Sequence, residues 1–240
     1  MKPWIRKAHR WLGLAFSLTL LMSSGSGVIH TIMSRTQAPP PAARPAGGGL
    51  DAAAIRLSPL EAIARIPAGK SVAAINLRSI GGQPCYQIFT ADGTIPIYIS
   101  AASGVIDPKL DEVYAAEIAS AFLGGKLVKK TDYLTHFNLE YIGIFRILPV
   151  YRFDAADGLG TRVYVSTVTG SVTRMTDDKK QWEANVFVIV HKFGFIPNKD
   201  LRDWSLVAVT GGTFAVSALG VLLFFLTRPR RKLPKPNQAG

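Results

Sequence analysis

Cysteine is almost missing from this chain. Cys85 is the only one, so no internal disulfide can form, and any folded part must rest on an ordinary apolar core. Its simplest place is a buried strand. The signatures of nucleophilic, zinc-dependent and nucleotide-dependent catalysis are missing too. There is no G-x-S-x-G, no H-E-x-x-H, no P-loop and no G-x-G-x-x-G. No pair of carboxylates stands out on a common face. Hydrolases and nucleotide-dependent enzymes are therefore disfavoured. With no nicotinamide or flavin site encoded, an electron donor would have to be another protein, a membrane quinol or a diffusible reductant.

Acid is missing from both ends. Residues 1–10 hold Lys2, Arg6, Lys7 and Arg10, and residues 228–240 hold Arg228, Arg230, Arg231, Lys232 and Lys235. Those nine cations supply most of the net charge of +12. A basic excess held in two tails does not point to nucleic acid, because each tail flanks a long apolar run. The runs are residues 11–33 and 204–227. Each exceeds the ~20 residues that cross a hydrocarbon core. The positive-inside rule makes both tails cytoplasmic, with contact to anionic headgroups, and places residues 34–203 outside the cytoplasm. In a bacterium that is the inner membrane and the periplasm. Trp4, Trp11, Trp182 and Trp204 all fall near the expected interfaces. A cleaved secretory signal is the competing reading of the first run. Its length and the lack of an A-x-A site favour an uncut anchor, though Ser23-Ser24-Gly25-Ser26-Gly27 interrupts it with small residues.

Between the runs, residues 34–55 form a Pro/Gly-rich linker with Pro39-Pro40-Pro41 and Gly47-Gly48-Gly49. An internal repeat follows. Pro84 to Phe89, Asp92-Gly93, Ile97 to Ser100 and Ser103-Gly104-Val105 form one copy. Pro149 to Phe153, Asp157-Gly158, Val163 to Ser166 and Thr169 to Val172 form the other. Asp-Gly between β-rich runs predicts a hairpin in each. Tyr86 and Ile88 alternate with Gln87, and Tyr151 and Phe153 with Arg152, which predicts one buried face per strand. A helical stretch precedes each hairpin. Ser58 and Glu61 form a capping box for the first, whose Leu60, Ile63 and Ala64 share a face; Tyr114 to Phe122 forms the second. Tyr86, Tyr98, Tyr151 and Tyr164 read as core.

This pattern resembles the PepSY domain. The flanks His9-Arg10-Trp11-Leu12-Gly13-Leu14 and Val190-His191-Lys192-Phe193-Gly194 resemble PepSY-associated transmembrane helices. The expected fold is α+β. Two transmembrane helices flank two tandem PepSY-like units, residues 56–108 and 109–178, each a helix packed on an antiparallel sheet. Residues 179–203 form an interfacial helix and a turn. Larger relatives of this kind carry about four spans and are associated with iron uptake, some resembling haem-containing reductases of ferric siderophores. This chain resembles a shorter, two-helix branch.

The resemblance turns attention to the histidines. Haem iron in electron-transfer proteins takes paired neutral imidazoles. His30 lies near the outer end of the first span. His191 lies before the second, ahead of a helix break at Gly194 to Pro197. These two are the candidate ligands of one haem b. Gly25 and Gly27, with Gly211 and Gly212, would allow a cofactor or helix to come close. His9 lies 21 residues before His30, about 31 Å along a helix, and would need a second copy of the chain to complete a separate inner site. Headgroup contact or helix capping is the plainer reading of His9, and a boundary contact that of His30. His136 reads as a surface or core-edge residue. Two functions follow. One is a haem-binding electron-transfer component for ferric iron reduction, as a homodimer or with a membrane partner. The other is a non-enzymatic adaptor whose PepSY-like units contact a periplasmic protease, transporter or envelope partner.

Overall fold

A computed structural model describes residues 3–36 and 48–226. The linker from residue 37 to 47 and the basic tail from residue 227 lie outside the described residues. The chain is α+β and forms two compact units, one helical and one containing both sheets.

The helical unit contains α1 (Pro3–Thr36), α4 (Asp178–Lys192) from Trp182 onward, and α5 (Lys199–Leu226). α1 and α5 are each long and apolar enough to cross a membrane. The Ser/Gly stretch is helical in α1, and its hydroxyls are satisfied by carbonyls of the preceding turn. Ser24 Oγ donates to Leu20 O at 2.8 Å and Ser26 Oγ to Ser23 O at 2.8 Å. α4 ends where expected, before Gly194. The left-handed residue at the break is Phe193, with φ 51°, and Asn198 Oδ1 then accepts the Leu201 N–H to start α5.

The sheet unit holds β1 (Val72–Ile80), β2 (Gln83–Thr90) and β3 (Ile97–Ser100) in one antiparallel sheet. β4 (Val128–Leu134), β5 (Val150–Ala155), β6 (Arg162–Ser166) and β7 (Ser171–Thr176) form a second. The two Asp-Gly hairpins are β2–β3 and β5–β6. The predicted helices are α2 (Pro59–Ile63) and α3 (Leu110–Phe122). The capping box is complete: Ser58 N–H donates to Glu61 Oε2 at 2.7 Å and Glu61 N–H to Ser58 Oγ at 3.3 Å. α2 is only five residues, however, too short for an apolar stripe. Its core residue is Ala62, while Leu60 is 76 % exposed.

One side of the first sheet buries Tyr86, Ile88 and Ile99 with Ala62 of α2. The other side joins α3 and the second sheet in the largest core, with Cys85, Tyr98, Tyr114, Ile118, Phe153 and Val163. Helix α3 therefore fills the space between the sheets. Gln87, expected on a polar face, is fully buried. It is tolerated because its polar atoms are satisfied: Arg78 Nε donates to Oε1 at 2.6 Å, and Nε2 donates to Tyr98 OH at 3.0 Å and Thr167 O at 2.9 Å. The outer face of the second sheet carries Tyr164. The segment 135–149 covers it, placing Tyr141 on Tyr164 at 4.8 Å between ring centroids.

Candidate functional site

His30 and His191 meet polar partners inside the helical unit. Glu183, Phe187 and His191 stand four residues apart on α4 and so share one face. That face meets α1. Glu183 is 8 % exposed, and its Oε1 lies 2.6 Å from His30 Nδ1. Ser26 is 4 % exposed, and its Oγ lies 3.1 Å from His191 Nδ1, with Ser23 Oγ at 3.5 Å.

These contacts constrain the Nδ1 side of each ring. The Ser26 hydroxyl proton is spent on the Ser23 carbonyl, so toward His191 the oxygen accepts. The Glu183 carboxylate likewise accepts from His30. Where an imidazole carries its proton on Nδ1, these oxygens accept it. In the neutral ring, Nε2 is then left with a lone pair, as in metal-ligating histidines oriented by a carboxylate or hydroxyl.

Phe187 touches both imidazoles. Its ring is stacked on His191, 4.6 Å between centroids at 14°, and is tilted against His30, 5.7 Å at 39°. The two imidazole centroids are therefore no more than about 10 Å apart, the sum of those separations. They are neighbours, with a phenyl ring in contact with each.

His191 also lines a groove of about 590 Å³ formed by α1, α4 and α5. Leu20, Val190, Leu206, Val209 and Phe214 make its apolar walls. The hydroxyls of Thr19, Thr210, Thr213 and Ser217 along it return to their own helices, which leaves the walls effectively apolar. Lys192 lines it beside His191, with Nζ 5.6 Å from the Phe187 centroid. His30 is not among the lining residues.

His9 belongs to another place. It packs against α5 at Gly220, where an added Cβ would come within 3.3 Å of His9 Cε1. Its Nδ1 is buried and has no hydrogen-bond partner among the described residues. The same helix pair is notched at Gly212, which receives the ring of Phe16, and at Gly13, opposite Val216. These contacts run antiparallel, 9 with 220, 13 with 216 and 16 with 212. Small residues here let two apolar helices approach closely. Gly25, Gly27 and Gly211, expected to admit a neighbour, face open space in the chain.

His136 is exposed, with Nδ1 2.9 Å from Thr135 Oγ1. No group of three or more His, Cys, Asp or Glu side chains able to hold a metal ion occurs among the described residues. The sequence reading missed Glu183 and Ser26. The available signal was a carboxylate at the i−8 position from His191 in a helix beside a membrane, where an ionisable group is costly.

The chain was compared with protein-family models, characterised proteins and solved structures, and none matches it.

Proposed function

We propose that this protein is a membrane-anchored, haem-binding electron-transfer component associated with reduction of ferric iron or ferric siderophores outside the cytoplasm. The observation that carries the reading is His191, whose Nδ1 lies 3.1 Å from Ser26 Oγ and which lines an apolar groove of about 590 Å³. That volume lies in the usual range for a bound cofactor. His191 and Lys192 both line the groove. His191 would hold the iron through Nε2, Ser26 would fix the ring, and Lys192 would face a propionate. His30, fixed by Glu183, is the candidate second ligand, provided Phe187 turns aside. Haem bound there supplies one-electron iron chemistry.

The basic tails support an orientation with both termini inside and the sheet unit in the periplasm of an inner membrane. The doubled order of helix and hairpin supports PepSY-like units, and through them the link to iron uptake. His9, with its unpaired Nδ1, supports a separate inner site completed by a second copy in a homodimer.

The adaptor reading has its own support, a groove of about 700 Å³ beside α3 and β4 in the sheet unit, bordered by Val113 and Leu127. A visible spectrum of the detergent-solubilised protein, expressed with a haem precursor, separates the two. The first reading expects a Soret band, with sharp α and β bands on reduction, lost in His191→Ala. A colourless protein refutes it and leaves the adaptor.

A further inference from the structure

Segment 135–149 is built as a rigid cover with an apolar outer surface. Asn138 Oδ1 accepts the N–H groups of Glu140 and Tyr141, at 2.9 and 2.6 Å, and Asn138 N–H donates to Tyr141 O at 2.9 Å. This closes a turn with Leu139 at its tip. Tyr141 locks the turn from below, fully buried, its hydroxyl donating to Ile147 O at 3.0 Å. Above it, Leu139 is 91 % exposed, Ile144 69 % and Phe137 43 %. The Phe137 ring lies beside Gly143, so Phe137 and the Gly143–Ile144 step share one surface.

The charges of the segment are sorted. Its only acid, Glu140, is held by the Tyr164 hydroxyl and by Arg162, whose Nε lies 3.0 Å from Oε1. Arg146 and His136 are exposed. The exposed side chains of the segment are thus largely apolar, with the Arg146 cation two residues after Ile144. That is the composition of a surface that enters the headgroup layer of an anionic bilayer.

Eleven residues, 37–47, separate α1 from the described part of the sheet unit. Fully extended, they reach at most about 40 Å. At the other side β7 ends at Thr176 and α4 begins at Asp178.

We propose that the Phe137–Arg146 segment docks on the lipid surface, with Leu139 and Ile144 at the acyl boundary and Arg146 at the phosphates. The docking rests on α1 and α5 being membrane anchors.

The test uses the full chain in vesicles of phosphatidylethanolamine and phosphatidylglycerol. Single cysteines at Leu139, Ile144, Asp92 or Leu18 carry a nitrobenzoxadiazole label; Cys85 is buried and stays unlabelled under brief treatment. Lipids with brominated acyl chains are the quencher. The expected result is quenching at Leu139→Cys and Ile144→Cys several-fold above that at Asp92→Cys, and lost at Ile144→Cys when Leu139→Asp is added. Leu18→Cys, in the middle of α1, reports the anchor. If Leu18→Cys is quenched and the loop labels match Asp92→Cys, the docking is refuted. A blue-shifted loop label without quenching means a protein covers the surface, which also refutes it. If Leu18→Cys is unquenched, the anchor reading itself fails, and the docking with it.

Discussion

Asp111 should be the residue on which the sheet unit most depends. It is 3 % exposed at the start of α3. Its Oδ1 accepts from Tyr98 OH at 2.7 Å and its Oδ2 from Tyr151 OH at 2.8 Å, one tyrosine from each sheet. Tyr98 OH in turn accepts from Gln87. Hydrogen bonds to a charged acceptor are worth roughly 1.5–3 kcal/mol each, and a buried donor left without an acceptor costs about 1–3 kcal/mol. Removing the carboxylate also relieves the cost of burying its charge, which offsets part of the loss. Asp111→Ala should therefore lose about 3 kcal/mol. Asp111→Asn keeps one oxygen for Tyr98 and offers an amide to a reoriented Tyr151 hydroxyl, so it should lose only about 1 kcal/mol. Cys85 reports the difference. It is 2 % exposed in the same core, so its labelling by a maleimide requires the unit to open. At tenfold per 1.4 kcal/mol, Asp111→Ala should label about 150 times faster than the parent and Asp111→Asn about five times faster. Intact-mass measurement of labelling in detergent reads both rates. Labelling of Asp111→Ala within twofold of the parent would refute the reasoning, as would equal rates for the two variants.

Other outcomes follow from the same contacts. Gly212→Leu must push against the Phe16 ring, a cost of about 1–3 kcal/mol, whereas Gly211→Leu meets open space. The first should lower the thermal midpoint in detergent by several degrees, followed by fluorescence of the tryptophans, all of which lie in α1, α4 and α5; equal midpoints would overturn the notch assignment. Burial, reinforced by hydrogen bonds to Asp111 or Glu140, pushes the hydroxyls of Tyr98, Tyr151 and Tyr164 well above the ordinary tyrosine range. Below the unfolded value near 10 both states keep these protons; above it the unfolded chain loses them first, so stability falls as pH rises. Alkaline titration should show cooperative tyrosinate absorbance rising with loss of sheet circular dichroism, and a gradual, structure-independent rise would contradict it.

Much of the fold was legible because its signals are local. Asp92-Gly93 and Asp157-Gly158 mark both hairpins, since a tight turn demands those residues whatever surrounds it. Ser58 and Glu61 mark the α2 start by the same logic. β1, β4 and β7 were not legible. β4 reads Val-Lys-Lys-Thr-Asp-Tyr-Leu, a polar edge strand with a bulge between Lys130 and Asp132, which breaks alternation. Burial of Gln87 was hidden because one partner, Thr167, lies 80 positions away in the turn that joins β6 to β7. At the candidate site, His30 and His191 stood out because histidine is rare beside apolar runs. Glu183 and Ser26 did not, because each looks like an ordinary helix residue until α1 and α4 are packed.

Chain order alone dictated two helices long enough to cross a bilayer, basic tails beside them and a doubled strand-turn-strand module. Hydropathy, charge and turn preference add up residue by residue along the chain, so they survive without a fold. Packing alone decided that α3 fills the gap between two sheets, that Asp111 receives a tyrosine from each, and that Phe187 stands against both imidazoles. The pairs Tyr151–Asp111 and His30–Phe187 are 40 and 157 positions apart, and only the approach of whole elements brings their atoms within hydrogen-bonding or van der Waals reach.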